Sequence, residues 1–147
     1  MRFELITISV LVLALAACGG PQARKASYLA SGRRYFAEHN YIEARLEFRN
    51  AVQVDPNDAE ASFLAGEAAE RLGDVREAAQ MFQAAIESND KHLGARAQLA
   101  RIYAYSGAPD KALELVQPGL AIAPEDPELL ISRGIARRLK GDLARDQ

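Results

Sequence analysis

The chain has 147 residues, enough for one domain with a modest core. Its formal net charge is −2 with both signs mixed along its length, so no basic surface favours nucleic acid as a partner. A single Cys excludes an internal disulfide framework, and the dominance of Ala, Leu, Glu, Arg and Gln after residue 22 favours helix.

The first element is the uncharged run LITISVLVLALAA, Leu5 to Ala17. As a helix rising about 1.5 Å per residue it reaches about 20 Å, short of the roughly 30 Å hydrocarbon core of a bilayer. It reads as the apolar region of a secretory signal, with Arg2 as its positive end and Glu4 partly offsetting that charge. The run closes on Leu15-Ala16-Ala17-Cys18, an apolar residue, two small residues and the cysteine. This ending resembles the bacterial lipobox. The resemblance implies a cleaved lipoprotein signal peptide over residues 1–17. It also implies that Cys18 receives a diacylglycerol and that the new amino terminus is acylated, palmitate being the expected label. Several acyl chains on one residue hold durably, since each buried methylene contributes about 0.8 kcal/mol. In such lipoproteins an Asp after the Cys favours inner-membrane retention, so Gly19 implies the periplasmic face of the outer membrane. Residues 18–24 are expected to form the acylated Cys and a flexible tether that spans at most about 20 Å.

Past the tether, small and apolar residues recur at a spacing of 34. Gly32, Gly66, Ala100 and Gly134 form one series, and Ala44, Ala78 and Ala112 another. Phe48, Phe82 and Val116 keep the same phase, as do Ala51, Ala85 and Gly119, and Tyr35, Ala69 and Tyr103. Pro56 and Pro124 lie two periods apart, with Asp90 between them. This pattern resembles the tetratricopeptide repeat (TPR). The resemblance implies an all-α, right-handed superhelix of stacked helix-turn-helix hairpins over 25–147. Its repeats would be 25–58, 59–92, 93–126 and an incomplete fourth, 127–147.

Local signals support two helices per repeat. Gly73 and Gly107 stand where a first helix must stop. Asn40 to Glu43 and Asp74 to Glu77 read as capping boxes for second helices, and Asn57 with Glu60 as a cap for a first helix. Pro127 suits a first helical turn after Asp126. In the last repeat, Ile131, Ile135 and Leu139 form an apolar stripe in need of a cover, and Gly141 to Arg145 read as the start of a further helix.

Catalytic chemistry is not expected. His39 and His92 fall in turns of different repeats, and after the signal there is no Cys to join them in a metal site, so both read as solvated loop residues. No glycine-rich phosphate loop occurs, and no Ser stands at a suggestive spacing from a His. No metal and no cofactor is expected beyond the lipid at Cys18, and no small-molecule substrate.

The resemblance implies instead a protein or peptide partner on the concave face, lined by the first helix of each repeat. The family's groove positions fall on Leu29, Arg33 and Phe36, on Phe63, Glu67 and Glu70, on Ala97, Arg101 and Tyr105, and on Ile131, Ile135 and Arg138. Arg33, Phe36, Phe63, Glu67, Glu70, Arg101, Tyr105 and Arg138 are the candidate contacts. The competing reading makes Phe36 and Phe63 core and the arginines a solvated face. The carboxylate clamp of chaperone-binding relatives is not matched, since Leu29, Arg33, Leu64, Gly94 and Gln98 occupy its positions.

The stretch YLASGRRYFAEHNYIEARLEFRNAVQVDPNDAEASFLAGEAAERLGD, close behind the lipobox, is most similar to the long TPR lipoproteins of exopolysaccharide and exosortase (PEP-CTERM) loci. Those proteins are much longer, so the resemblance implies an N-terminal portion. The expected function is a membrane-anchored periplasmic scaffold in exopolysaccharide or PEP-CTERM surface-protein export. A lipoprotein assisting type IV pilus secretin or outer-membrane protein assembly is the alternative with the same architecture. A periplasmic polysaccharide-binding module or enzyme is the alternative of a different class.

Overall fold

A computed structural model describes residues 20–145. The signal, the lipidation residue Cys18 and Gly19 lie outside the described residues. Seven helices follow in order: α1 (Pro21–Ala37), α2 (Tyr41–Val54), α3 (Ala59–Arg71), α4 (Val75–Ser88), α5 (Leu93–Tyr105), α6 (Pro109–Ile122) and α7 (Pro127–Arg145). No strand occurs among the described residues. Consecutive helices pack as the hairpins α1/α2, α3/α4 and α5/α6, each stacked on the next, with α7 closing the row.

The 34-residue phase has a local physical basis in turns and caps. The first helix of each hairpin ends at a left-handed residue: His39 (φ 59°), Gly73 (φ 78°) and Gly107 (φ 79°). Glycine adopts that conformation without steric cost. His39 adopts it without that freedom, and its Nδ1 lies 2.8 Å from the Tyr41 hydroxyl. The N-caps of α3, α5 and α7 are in phase as well. Asp58 Oδ1 accepts from Ala61 N–H at 2.9 Å, His92 Nδ1 from Ala95 N–H at 3.1 Å, and Asp126 Oδ1 from Leu129 N–H at 2.9 Å. Such a side chain satisfies one of the N–H groups that a helix start leaves without a partner.

Several local expectations are corrected. The cap expected at Asn57 belongs to Asp58; Asn57 instead donates its backbone N–H to Asp55 Oδ1 at 3.3 Å within the turn. Asp74 does accept from Glu77 N–H at 3.0 Å, whereas the Asn40 side chain makes no capping bond. His92 is a half-buried cap rather than a solvated loop residue. Residues 21–24, expected to be tether, form the first turn of α1, with Pro21 at a position where its missing N–H costs nothing. The next residue holds that turn in place: Lys25 Nζ lies 2.8 Å from Asp55 Oδ2 and 2.6 Å from Asp58 Oδ2. Burial acts to raise the Asp58 carboxyl, but hydrogen bonds from Lys25 and from Ala61 N–H hold it below the usual carboxylate range.

Within each hairpin a small residue admits a large one. A Cβ on Gly32 would lie 2.5 Å from the Phe48 ring, and one on Gly66 would lie 2.6 Å from the Phe82 ring. Phe48 and Phe82 are completely buried by this approach. The core is therefore three apolar clusters strung along the stack, centred on Phe48, on Phe82 with Leu99, and on Val116 with Leu129. Tyr103 and Leu115 touch both of the last two. Stacking of this kind makes stability a sum of neighbour contacts.

The last helix departs from the pattern. Among the described residues no further helix begins at Gly141, and α7 continues through it to Arg145. A Cβ on Gly134, in phase with Gly32 and Gly66, would meet nothing within 4 Å. Glycine permits a left-handed turn without enforcing one.

Candidate peptide-binding groove

The first helices α1, α3, α5 and α7 carry the mapped groove positions. Their charged side chains bridge neighbouring helices. Arg33 Nη2 lies 2.8 Å from Glu60 Oε1, linking α1 to α3. Arg101 links three helices, with Glu70 on α3 at 3.7 Å and Glu128 on α7 at 3.3 Å. Its guanidinium also donates to Gln98 Oε1 on its own helix. Arg71 lies 5.4 Å from the centre of the Phe36 ring and 5.8 Å from that of Tyr41, and donates to the Tyr41 hydroxyl at 3.4 Å.

The aromatic candidates serve partly as packing and partly as surface. Phe36 is half-buried, edge-on to Tyr41 at 5.2 Å and tilted against Phe48 at 6.4 Å. Phe63 is half-buried between the His92 ring at 4.7 Å and Phe82 at 5.7 Å. His92 thus joins the cap of α5 to the floor of this face, with its Nε2 3.8 Å from Glu60 Oε2. Accepting an N–H at Nδ1 requires that nitrogen to be unprotonated, which leaves the proton on Nε2 toward Glu60. Tyr105 stands 65% exposed. Arg138 is exposed on α7 and makes no ion pair among the described residues.

Glu67 is unlike the other acids. It is half-buried on α3 and makes no hydrogen bond or ion pair among the described residues. Burial pushes its carboxyl up, Arg71 on the next turn pulls it down, and Glu70 and Glu60 push it up again. The net direction is upward.

Two groups of mapped positions separate in the structure. Glu70, Arg101 and Tyr105 come together on α3 and α5, around a cleft of about 360 Å³ lined by Glu70, Val75, Arg101, Ile102, Tyr105 and Ser106, and Glu67 stands outside that lining. Ala97, mapped to the same groove, is instead buried beneath α7. Ser132 Oγ donates to the Ala97 carbonyl at 3.0 Å, so the α5 and α7 backbones are in close contact. Alanines at 97 and 104 allow this approach, whereas Phe63 and Glu70 stand at the matching positions of α3. The face is therefore open between α3 and α5 and closed between α5 and α7. Glu60, Glu128 and His92 were not among the candidates. Their signal was the phase itself, since 60 and 128 are two periods apart and 58, 92 and 126 are successive caps.

Among the described residues no group of three or more His, Cys, Asp or Glu is placed to hold a metal ion, and no helix is long and apolar enough to cross a membrane. Models of the tetratricopeptide repeat match residues 29–92 and 70–132, and so together run over 29–132. The chain belongs to the tetratricopeptide-repeat family. No curated protein sequence gives a significant match. Among solved structures, the second TPR domain of human RPAP3, in complex with the HSP70 peptide SGPTIEEVD, is similar at 18% identity and a TM-score of 0.75, over 80% of this chain and 98% of that one. The TPR2B domain of yeast Sti1, in its complex with pHsp70, is similar at 18% identity and 0.71, over 78% and 97%. MamA from Desulfovibrio magneticus RS-1, from residue 41 to its end, is similar at 21% identity and 0.73, over 82% and 68%. At these identities the likeness establishes the fold.

Proposed function

We propose that the protein is a lipid-anchored docking scaffold, acylated at Cys18 on the periplasmic face of the outer membrane, that holds peptide segments of other proteins on its first-helix face. The role most consistent with the sequence resemblance is in exopolysaccharide or PEP-CTERM surface-protein export. The observation that carries the docking role is the open cleft between α3, the start of α4 and α5, where Tyr105 and Val75 present exposed apolar surface among the described residues. Complexes of two neighbours in fold, one with an HSP70 peptide and one with pHsp70, support the reading. The peptide bound by the human neighbour ends in the acidic run EEVD. The chaperone-type clamp positions here carry Leu29, Arg33, Leu64, Gly94 and Gln98, so the partner chemistry is a different one. Anchoring confines the scaffold to two dimensions and raises the effective concentration of whatever it holds.

The anchor and the docking face are tested separately in a bacterial host. Radioactive palmitate is expected to label the wild-type chain and not Cys18→Ser; equal labelling of both removes the anchor from the proposal. A photo-crosslinker at Tyr105 is expected to capture a protein that one at Gln80, exposed on the second helix of its hairpin, does not. Equal capture from both positions removes the docking face.

A further inference from the structure

Two exposed patches of opposite charge stand at opposite ends of the row. The first is the outer face of α2, where Ile42 is 63% exposed and Leu46 57%. The positions in phase with Ile42 are Arg76 and Asp110, and those in phase with Leu46 are Gln80 and Glu114. Among the second helices, then, only α2 turns an apolar pair outward at this place. Glu43 and Glu47 flank the pair on one side, and neither makes a hydrogen bond or ion pair among the described residues. Arg45 and Arg49 flank it on the other side, and both are already engaged by Glu77 of α4, at 3.3 Å and 3.6 Å.

The second patch is the outer face of α7. Ile131 is 52% exposed, and a Cβ on Gly134 would meet nothing within 4 Å. The same face of α1 and α3, at Gly32 and Gly66, receives the rings of Phe48 and Phe82. The groove over Gly134 is thus of a kind that takes a large apolar side chain, and among the described residues none enters it. Arg137 and Arg138 border it one turn on, and Arg133 lies one turn before Arg137 on the same flank. None of these three arginines makes a hydrogen bond or ion pair among the described residues. The two acids of α7 itself are engaged, Glu128 by Arg101 and Asp142 by an interaction of its own.

The two patches match in shape and spacing. Ile42 and Leu46 form a ridge of residues four apart, and Gly134 opens a groove between Ile131 and Arg138. Glu43 and Glu47 are about 6 Å apart along α2, as are Arg133 and Arg137 along α7, so one arrangement satisfies both pairs. Contact joins unpaired charges of opposite sign and removes the apolar ridge from water. Within one chain α3 to α6 stand between α2 and α7, so the patches meet only between copies.

We propose that copies of this chain associate head to tail, with the outer face of α2 in one copy seated on the Gly134 face of α7 in the next. Such a contact is heterologous: each pair keeps one free patch at either end, and the row of repeats extends by further addition. The inference stands apart from the cleft beside α3 and α5, which the contact leaves open.

The test is sedimentation equilibrium of the full chain in a density-matched detergent. Small patches make a weak contact, so the average mass is expected to rise above that of one chain at about 0.1–1 mM. Two variants reverse the charges, Glu43→Arg with Glu47→Arg on α2, and Arg137→Glu with Arg138→Glu on α7. Each is expected to weaken self-association at least about tenfold. An equal mixture of the two is expected to recover it, because the reversed patches match each other and the unreversed patches still match. Circular dichroism checks that each variant is folded. A wild-type chain that stays monomeric at 1 mM overturns the proposal. So does a variant that associates as the wild type does, which would mark a symmetric contact or one made elsewhere, and so does a mixture that fails to recover.

Discussion

The eighth position of the repeat, Gly32, Gly66, Ala100 and Gly134, is under three different constraints here. At Gly32 and Gly66 it is a steric requirement, because a methyl group would lie 2.5 Å or 2.6 Å from a buried phenyl ring. At Ala100 the same contact is relaxed, since the facing residue is Val116 rather than Phe. At Gly134 the space is open. Gly66→Ala is therefore expected to destabilise the protein by about 1–3 kcal/mol through overpacking. Gly134→Ala is expected to be neutral or to stabilise by up to about 1 kcal/mol, since alanine favours helix and meets nothing. Urea denaturation of the two variants measures the difference, and equal loss in both contradicts the packing account.

Helix α7 shows how much of an element depends on its neighbours. Gly141 lies in phase with His39, Gly73 and Gly107, and Asp142 with the cap Asp74, so the local signature of a turn is complete. The helix nevertheless continues through Gly141, because a glycine permits a left-handed turn without enforcing one. On its other side α7 lies unusually close to α5, where Ala97 and Ala104 leave room and Ser132 reaches the Ala97 carbonyl. Ala97→Phe, which copies the residue found at Phe63, is expected to force α7 away from α5. The expected cost is about 1–3 kcal/mol, with loss of the protection of Ser132 in hydrogen exchange. Unchanged stability and exchange in that variant contradict the tight α5–α7 contact.

The molecule as a whole is a row rather than a ball. Among the described residues each hairpin packs chiefly on the units before and after it, and three apolar clusters follow one another along the stack. Among the described residues the outer units have one neighbour and the central units two, so in this chain local opening is easiest at α1 and α7. Native-state hydrogen exchange is expected to find α3, α4 and α5 the most protected. The first turn of α1 and the last turns of α7, beyond Leu139, are expected to exchange earliest. Uniform protection from α1 to α7 contradicts this order. The same geometry leaves the groove discontinuous: the cleft between α3 and α5 lies in the best-supported part of the row, while the α5–α7 step is closed.

The repeat phase, the helices and the left-handed glycines were legible in the residues alone because they are local: a turn, a cap or a small residue acts within a few positions of itself. Even the caps at Asp58 and His92 could have been read from their phase with Asp126. The remainder depends on contacts between residues far apart in the chain. Arg33 meets Glu60 across 27 residues, Arg101 meets Glu128 across 27, and Ser132 meets Ala97 across 35. No local pattern announces which arginine is neutralised, which carboxylate is left alone, or which pair of helices closes on its alanines. Those outcomes follow from helix-to-helix distance, set by side-chain volume at each crossing. For that reason Arg33, Arg101 and Glu67 looked alike as charged groove candidates in the sequence, and only packing separates the two paired arginines from the unpaired carboxylate.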